Sequence, residues 1–117
     1  MATSFKTVGV KLNNTTSKIV YTCPTNPVTN ATIIGLILCN NDTSTTSEGA
    51  IVTLSWTDAS NSNLELNFLS NTLIPPSTSI APIGGMSGKI ILNAGDTIKA
   101  KSTNASSDIT VDITLSV

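Results

Sequence analysis

The pattern that most constrains this chain is the regular alternation of apolar and polar side chains along short segments. The clearest case is 109–117, ITVDITLSV, in which every second residue is Ile, Val or Leu. Because successive side chains of a strand point to opposite faces of a sheet, this period predicts a strand with one face in a core. Shorter stretches of the same kind occur at 8–12, 19–23, 52–57, 64–68, 90–92 and 98–101.

One further segment, Ile33 to Asn40, is apolar on both parities. A run of this kind predicts a central strand that is covered on both faces. Three aromatic residues, Tyr21, Trp56 and Phe68, share the parity of the apolar residues in their own segments. Since large aromatic side chains commonly anchor cores, we expect all three to point inward. About eight short strands are predicted in total.

The connections between these segments carry turn-forming residues. Polar stretches separate the strands, the tightest being Asn93-Ala94-Gly95-Asp96, and Pro24 and Pro75 stand where strands are expected to end. The least regular stretch is Leu73 to Gly88, and no segment has helical i, i+3, i+4 spacing. The sequence predicts one all-β domain over residues 1–117, an antiparallel β-sandwich of immunoglobulin-like or jelly-roll topology.

The charged residues argue against several classes of function. The chain has no Arg and no His, and its formal net charge is −1. Recognition of nucleic acid calls for a basic surface and usually for Arg, and acid–base chemistry most often relies on His. Most carboxylates lie at turns or on outward parity, where a solvated role is expected. They are Asp42, Glu48, Asp58, Glu65, Asp96, Asp108 and Asp112.

These observations predict a structural protein that is not an enzyme. We expect no catalytic, cofactor-binding or metal-binding residues, no nucleic-acid partner and no membrane partner. No apolar run approaches the length of a membrane span, and residues 1–6 do not resemble a signal peptide. Cys23 and Cys39 are expected to be free thiols, since their spacing matches neither a redox nor a zinc motif; a disulfide between neighbouring strands is the alternative.

Several segments resemble small virion proteins of tailed phages that infect marine cyanobacteria. The resemblance lies in FKTVGVKL (5–12), IVYTCP (19–24), TIIGL (32–36) followed by Asn40, WTD (56–58), PIGG (82–85) and LNAGDTIKA (92–100). It extends over nearly the whole chain, although these motifs are turns and strands rather than chemical signatures. The resemblance implies a β-sandwich component of a virion, assembled in the host cytoplasm.

The leading hypothesis is a capsid decoration (cement) protein that binds the outer head surface and bridges neighbouring subunits of the major capsid protein. The expected contacts are the arm Ala2–Ser4 and the loops Asn40–Gly49 and Leu73–Gly88. A virion component commonly lies on a symmetry axis, so we expect a homo-oligomer such as a trimer. Alternatives are a tail, neck or fibre-attachment component and a carbohydrate- or host-surface-binding module.

Exposed sheet edges invite pairing with other chains, and charged residues commonly prevent it. Lys6, Lys11 and the pair Lys99 and Lys101 are the expected protective residues at the sheet edges.

Overall fold

The computed structural model describes residues 5–12, 15–25, 30–42, 49–83, 90–103 and 109–116. Within these residues nine strands and one short 3-10 turn (Ala59–Asn61) are formed. The strands are β1 (Phe5–Leu12), β2 (Lys18–Thr22), β3 (Asn30–Asn40), β4 (Ala50–Asp58), β5 (Leu64–Ile74), β6 (Thr78–Ile83), β7 (Ile90–Asn93), β8 (Thr97–Ser102) and β9 (Ile109–Ser116). None of the described residues forms a helix that is long and apolar enough to cross a membrane.

The strands form two antiparallel sheets that pack as a sandwich. The five-stranded sheet has the order β1-β9-β3-β6, with β7 also pairing with β3, and the four-stranded sheet has the order β2-β8-β4-β5. The predicted all-β sandwich is confirmed.

The strand order decides between the two topologies that the sequence left open. β7 pairs with Asn30–Ile33 of β3 and β6 pairs with positions between Leu36 and Asn40, so these two strands occupy one position in the sheet. Counted in this way, the described strands form eight positions in the orders 1-8-3-6 and 2-7-4-5. The first strand pairs with the last, and the chain crosses between the sheets as in a jelly roll.

One apolar core fills the space between the two sheets. The inward residues of β9 are fully buried, as their alternation predicts, and the opposing β4 and β8 contribute Val52, Leu54 and Ile98 at 0% exposure. Full burial of such a side chain stabilises the fold by about 1.5–3 kcal/mol. The largest fully buried side chains are Leu12, Ile33, Leu36, Leu38, Val52, Leu54, Ile74, Leu92, Ile98, Ile109, Ile113 and Leu115.

The prediction for β2 is wrong at two residues, Ile19 and Val20. Ile19 is 58% exposed, whereas Val20 and Tyr21 are both buried. The register of β2 against β8 shifts between Ile19 and Tyr21, and this bulge reverses the side on which Ile19 would lie. Tyr21 keeps its predicted inward position.

The prediction that β3 is covered on both faces is also wrong. β3 is central, since it pairs with β9 on one side and with β6 and β7 on the other. Its outward residue Ile37, however, is 51% exposed. Among the described residues each sheet is packed on one face only, by the other sheet, so apolar residues on both parities do not imply two covering layers.

The stretch Leu73–Gly88 is more regular than predicted. Leu73 and Ile74 end β5, and β6 begins at Thr78, so the break is limited to Pro75, Pro76 and Ser77. Ser77 has φ 57, which allows the chain to reverse between two strands. Residues 84–88 lie outside the described part.

The predicted edge residues are confirmed on one strand and wrong on another. Lys6 and Lys11 lie on β1, which forms an edge of the five-stranded sheet. Lys99 and Lys101 lie on β8, which pairs with both β2 and β4 and is therefore an interior strand.

Candidate interaction surface

The most elaborate polar arrangement in the structure surrounds Asp96, at the turn between β7 and β8. Its side chain is fully buried. Oδ1 accepts a hydrogen bond from the Ala59 backbone N–H at 2.9 Å, and Oδ2 accepts from the Asn93 N–H at 2.9 Å and from Trp56 Nε1 at 3.1 Å. The expectation of a solvated carboxylate is therefore wrong for Asp96, which joins two connections at the same end of the sandwich.

Cys23 lies beside this turn and connects it to the end of β2. Its N–H donates to the Asp96 carbonyl at 2.8 Å, and its own carbonyl accepts from the Gly95 N–H at 2.9 Å. Burial, and then the nearby charge of Asp96, raise the pKa of the Cys23 thiol. Burial, and then Cys23, raise the pKa of the neighbouring Tyr21. A buried neutral thiol in this position serves packing rather than nucleophilic chemistry.

Cys23 and Cys39 are both free, so the thiol prediction is confirmed and the disulfide alternative is wrong. Asp58 caps the short turn that follows it by accepting from the Ser60 N–H at 3.2 Å, and Glu65 Oε2 lies 4.0 Å from Lys99 Nζ. In the described part of the chain, no three His, Cys, Asp or Glu side chains are grouped so that they could hold a metal ion. Glu48 and Asp108 lie outside that part.

Two of the predicted contact segments meet at the opposite end of the sandwich. Asn40 Nδ2 donates to the Ile74 carbonyl at 2.9 Å, and the Ser77 N–H donates to the Asp42 carbonyl at 3.0 Å. The connection after β3 and the turn after β5 therefore form one joined surface, here called the loop end. Residues 43–48 of the first predicted loop lie outside the described part.

Gly49 is where the chain enters β4 at the loop end. Its φ is +94, and an added Cβ would lie 2.7 Å from the Ile74 carbonyl oxygen. We expect Gly49→Ala to lower the free energy of unfolding by about 1–3 kcal/mol, because a side chain disfavours this φ and also clashes with the backbone. Urea unfolding measures the loss.

The control for this substitution is Gly35→Ala. Gly35 has no left-handed φ, and an added Cβ meets only the Thr114 Cβ, at 4.0 Å. The free energy of unfolding of the Gly35→Ala variant is expected to stay within about 1 kcal/mol of that of the original chain. Equal losses for the two substitutions would contradict the assignment of strain to Gly49.

The third predicted contact, the arm Ala2–Ser4, lies outside the described residues. The strand that follows it, β1, shows at which end of the sheet the arm is attached. Phe5 begins β1 and pairs with Ser116, whereas Ile109 pairs with both Leu12 and Asn40. The start of β1 and the loop end are therefore at opposite ends of the five-stranded sheet.

The outer face of the five-stranded sheet carries three prominent apolar side chains. Phe5, Ile91 and Ile37 are 71%, 61% and 51% exposed. Phe5 and Ile91 lie in one row across the sheet, joined through Ser116 and Thr32. Single exposed apolar side chains are common on protein surfaces, so these three residues mark the outer face only as a candidate contact area.

These three residues were not predicted as contacts from the sequence. Parity offered a signal for two of them, since Phe5 and Ile91 lie on the opposite parity to the buried residues of their own strands. The sequence shows that Phe5 and Ile91 point away from the buried residues of their strands, but it does not show whether another layer covers them. The order of strands in the sheets shows that none of the described strands does.

The sequence matches no protein-family model, and no curated protein shows significant similarity to it. Solved structures do share its fold. A chain from the acid-stable capsid of Helicobacter pylori bacteriophage KHP30 aligns with 100% of this chain and 89% of its own length, with a TM-score of 0.63 and 9% identity. A chain from the capsid asymmetric unit of cyanophage Pam1 aligns with 98% of this chain and 84% of its own, with a TM-score of 0.52 and 15% identity.

A third similar structure comes from infectious bursal disease virus, Gx strain. It aligns with 98% of this chain at a TM-score of 0.57 and 6% identity, and this chain spans only 32% of its length. At these identities the comparisons establish the fold. The three structures described here come from viral and phage capsids, and one of them is from a cyanophage.

Proposed function

We propose that this chain is a virion structural protein and, more specifically, a capsid decoration protein that binds the outer surface of a phage head. The observation that carries the proposal is that two phage capsid structures contain a chain of this fold and of nearly the same extent. In those capsids the jelly roll makes up most of a chain, whereas it accounts for about a third of the bursal disease virus chain.

A sandwich with distinct contact regions on its surface is suited to binding a shell that other subunits build. Its described surface is rich in Ser, Thr and Asn, with the apolar residues of the outer face and the polar loop end as its two distinctive regions. On this proposal no single contact with a capsid subunit needs to be strong. Many copies bound around a shell, each bridging two subunits, would stabilise the shell through multivalency.

Imaging of the purified virion tests the placement. Cryo-electron microscopy is expected to show density of the size and shape of this sandwich on the outer head surface, above the major capsid protein. Density of this shape only at the neck, the tail or a fibre would contradict decoration and favour the second role. Absence of the chain from the virion would contradict both.

Binding to heads that lack this protein tests the surface. We expect Ile37→Asp to weaken binding at least about tenfold, since it places a charge in the centre of the outer face. Ile19→Asp is a matched control, because Ile19 is 58% exposed on β2 of the other sheet and lies outside the predicted contact segments. Equal binding by both variants would exclude the outer face and leave the loop end as the contact.

The carbohydrate-binding alternative makes a different prediction. Sugar-binding sites commonly present aromatic side chains, and Trp56 is only partly accessible, with its indole N–H bonded to Asp96. Reproducible glycan-array binding that is lost in Phe5→Ala would favour a host-surface-binding module over decoration.

A further inference from the structure

The edge strand β5 is unusual among the strands of this fold. It has 11 residues, and among the described strands it pairs with β4 alone. A strand at the edge of a sheet presents backbone N–H and C=O groups on its open side, and these can pair with a strand of another chain. Its register against β4 shifts beyond Asn67, but length and regular pairing over 64–67 make β5 the best template of this kind among the described strands.

The other edges carry features that oppose such pairing. β1 and β2 include Lys6 and Lys18, β6 includes Pro82, and β7 is only four residues long. Lysine, proline and short length are the usual protections of an open edge. β5 contains neither Lys nor Pro, and its single charge, Glu65, lies near Lys99 of the same sheet.

The inward face of the four-stranded sheet is only partly covered at this edge. Leu64 and Leu66 pair with Asp58 and Trp56, and Trp56 pairs in turn with the fully buried Ile98, so Leu66 shares the inward face. The sequence predicted both leucines as core residues, but this is wrong: they are 47% and 42% exposed. The next inward residue, Phe68, does pack against the core.

A strand placed beside β5 would therefore satisfy two needs at once. It would complete the backbone hydrogen bonds of the edge, and its own inward side chains would cover Leu64 and Leu66. Both contributions favour an added strand over a globular partner that rests against the side chains alone.

We propose that the added strand is β5 of a second copy of this chain, antiparallel about a two-fold axis at Leu66. In this register Leu66 faces its own counterpart and Glu65 faces Asn67, both within the regular part of β5. Leu64 lies opposite Phe68 of the second copy, the residue at which the register of β5 against β4 shifts. Apolar residues thus meet apolar residues and no like charges are opposed, whereas centring on Glu65 would oppose two carboxylates. The strand is self-complementary, which an isologous interface requires. This inference does not depend on the capsid role.

Analytical ultracentrifugation of the full chain tests the inference. We expect a concentration-dependent dimer of twice the 12.1 kDa chain mass. Leu66→Lys is expected to raise the dimer dissociation constant at least about 100-fold, because it removes apolar burial on both copies and opposes two positive charges. Ile19→Lys is the control, since Ile19 is 58% exposed on β2, the other edge of the same sheet.

Circular dichroism and the urea midpoint of both variants show whether the fold is retained. A chain that stays monomeric at millimolar concentration, forms a trimer, or dimerises equally well with Leu66→Lys would overturn the inference. If the chain is monomeric and Leu66→Lys instead abolishes binding to heads, the strand that covers β5 belongs to the capsid and not to a second copy.

A cross-linking experiment tests the two-fold register directly. Residues that face each other on antiparallel strands have Cα atoms about 4.5–5.5 Å apart, within the range that a disulfide spans. Under mild oxidation Leu66→Cys is expected to give a covalent dimer in high yield, and Ile19→Cys is expected to give none above the level of the original chain. Equal yields from the two variants would overturn the register.

Discussion

Replacing Asp96 by Asn is expected to lower the free energy of unfolding by about 2–4 kcal/mol, although the change removes no atoms from the core. Both carboxylate oxygens accept hydrogen bonds from N–H donors: Oδ1 from Ala59, and Oδ2 from Asn93 and Trp56. An amide has only one oxygen. In either orientation its NH₂ group would face at least one N–H donor, and that donor would lose its partner beside the fully buried side chain of residue 96.

The loss is measured by urea unfolding, with tryptophan fluorescence as a second signal because Trp56 is the only Trp in the chain. Asp112→Asn is the matched control, since it makes the same chemical change on the exposed face of β9. Its effect is expected to stay within about 0.5 kcal/mol. Similar stability of the two variants would mean that the hydrogen bonds to Asp96 contribute little.

Asp96 also shows what the sequence could and could not predict. The turn at 93–96 was predictable because Asn, Gly and Asp favour turns, and Gly95 does adopt φ +85. The burial of Asp96 was not predictable, because two of its donors, Trp56 and Ala59, are 40 and 37 residues away in the sequence. Turn chemistry is local, whereas the partners of a buried charge are set by which connections meet in space.

The strands illustrate the same limit. Alternation correctly predicted β9, where every inward residue is buried and the register against β1 is unbroken. It was wrong for Ile19, where a bulge shifts the register, and for Leu66, where the inward face is not covered. A period of two predicts which side chains share a face. It does not predict whether that face lies beneath another sheet.

For the candidate surface, the sequence predicted the two segments that meet at the loop end but not the exposed apolar residues of the outer face. The scarcity of charges, together with the missing Arg and His, favoured a structural role, but the prominent residues Phe5 and Ile91 were not singled out. Phe5 and Ile91 lie in one row across the sheet only because β9 and β3 pair between their strands, with Ser116 and Thr32 in the same row. Lysines were predicted to protect sheet edges, which is correct for β1 and wrong for β8. The sequence could not separate the two cases, because the order of strands in a sheet is a long-range property.

The adjacent residues Leu38 and Ile37 of β3 allow stability to be separated from binding. Leu38 is fully buried between the sheets, and Ile37 is 51% exposed on the outer face. Leu38→Ala is expected to lower the free energy of unfolding by about 2–5 kcal/mol, because it removes buried apolar contacts and leaves a cavity in the core. Ile37→Ala is expected to cost less than about 1 kcal/mol.

Urea unfolding of the two variants measures this difference. If the slope of the free energy of unfolding against urea concentration does not change with the substitution, the same amount of surface is exposed on unfolding. Equal losses would mean that the outer face of β3 is buried in solution, and dimerisation through that face rather than through β5 would be the first explanation to test. If Ile37→Ala instead keeps its stability but binds heads more weakly, the cost of removing Ile37 falls on the contact and not on the fold. That result would identify the outer face as a binding surface, because a residue that is dispensable for folding yet needed for attachment has its partner outside the chain.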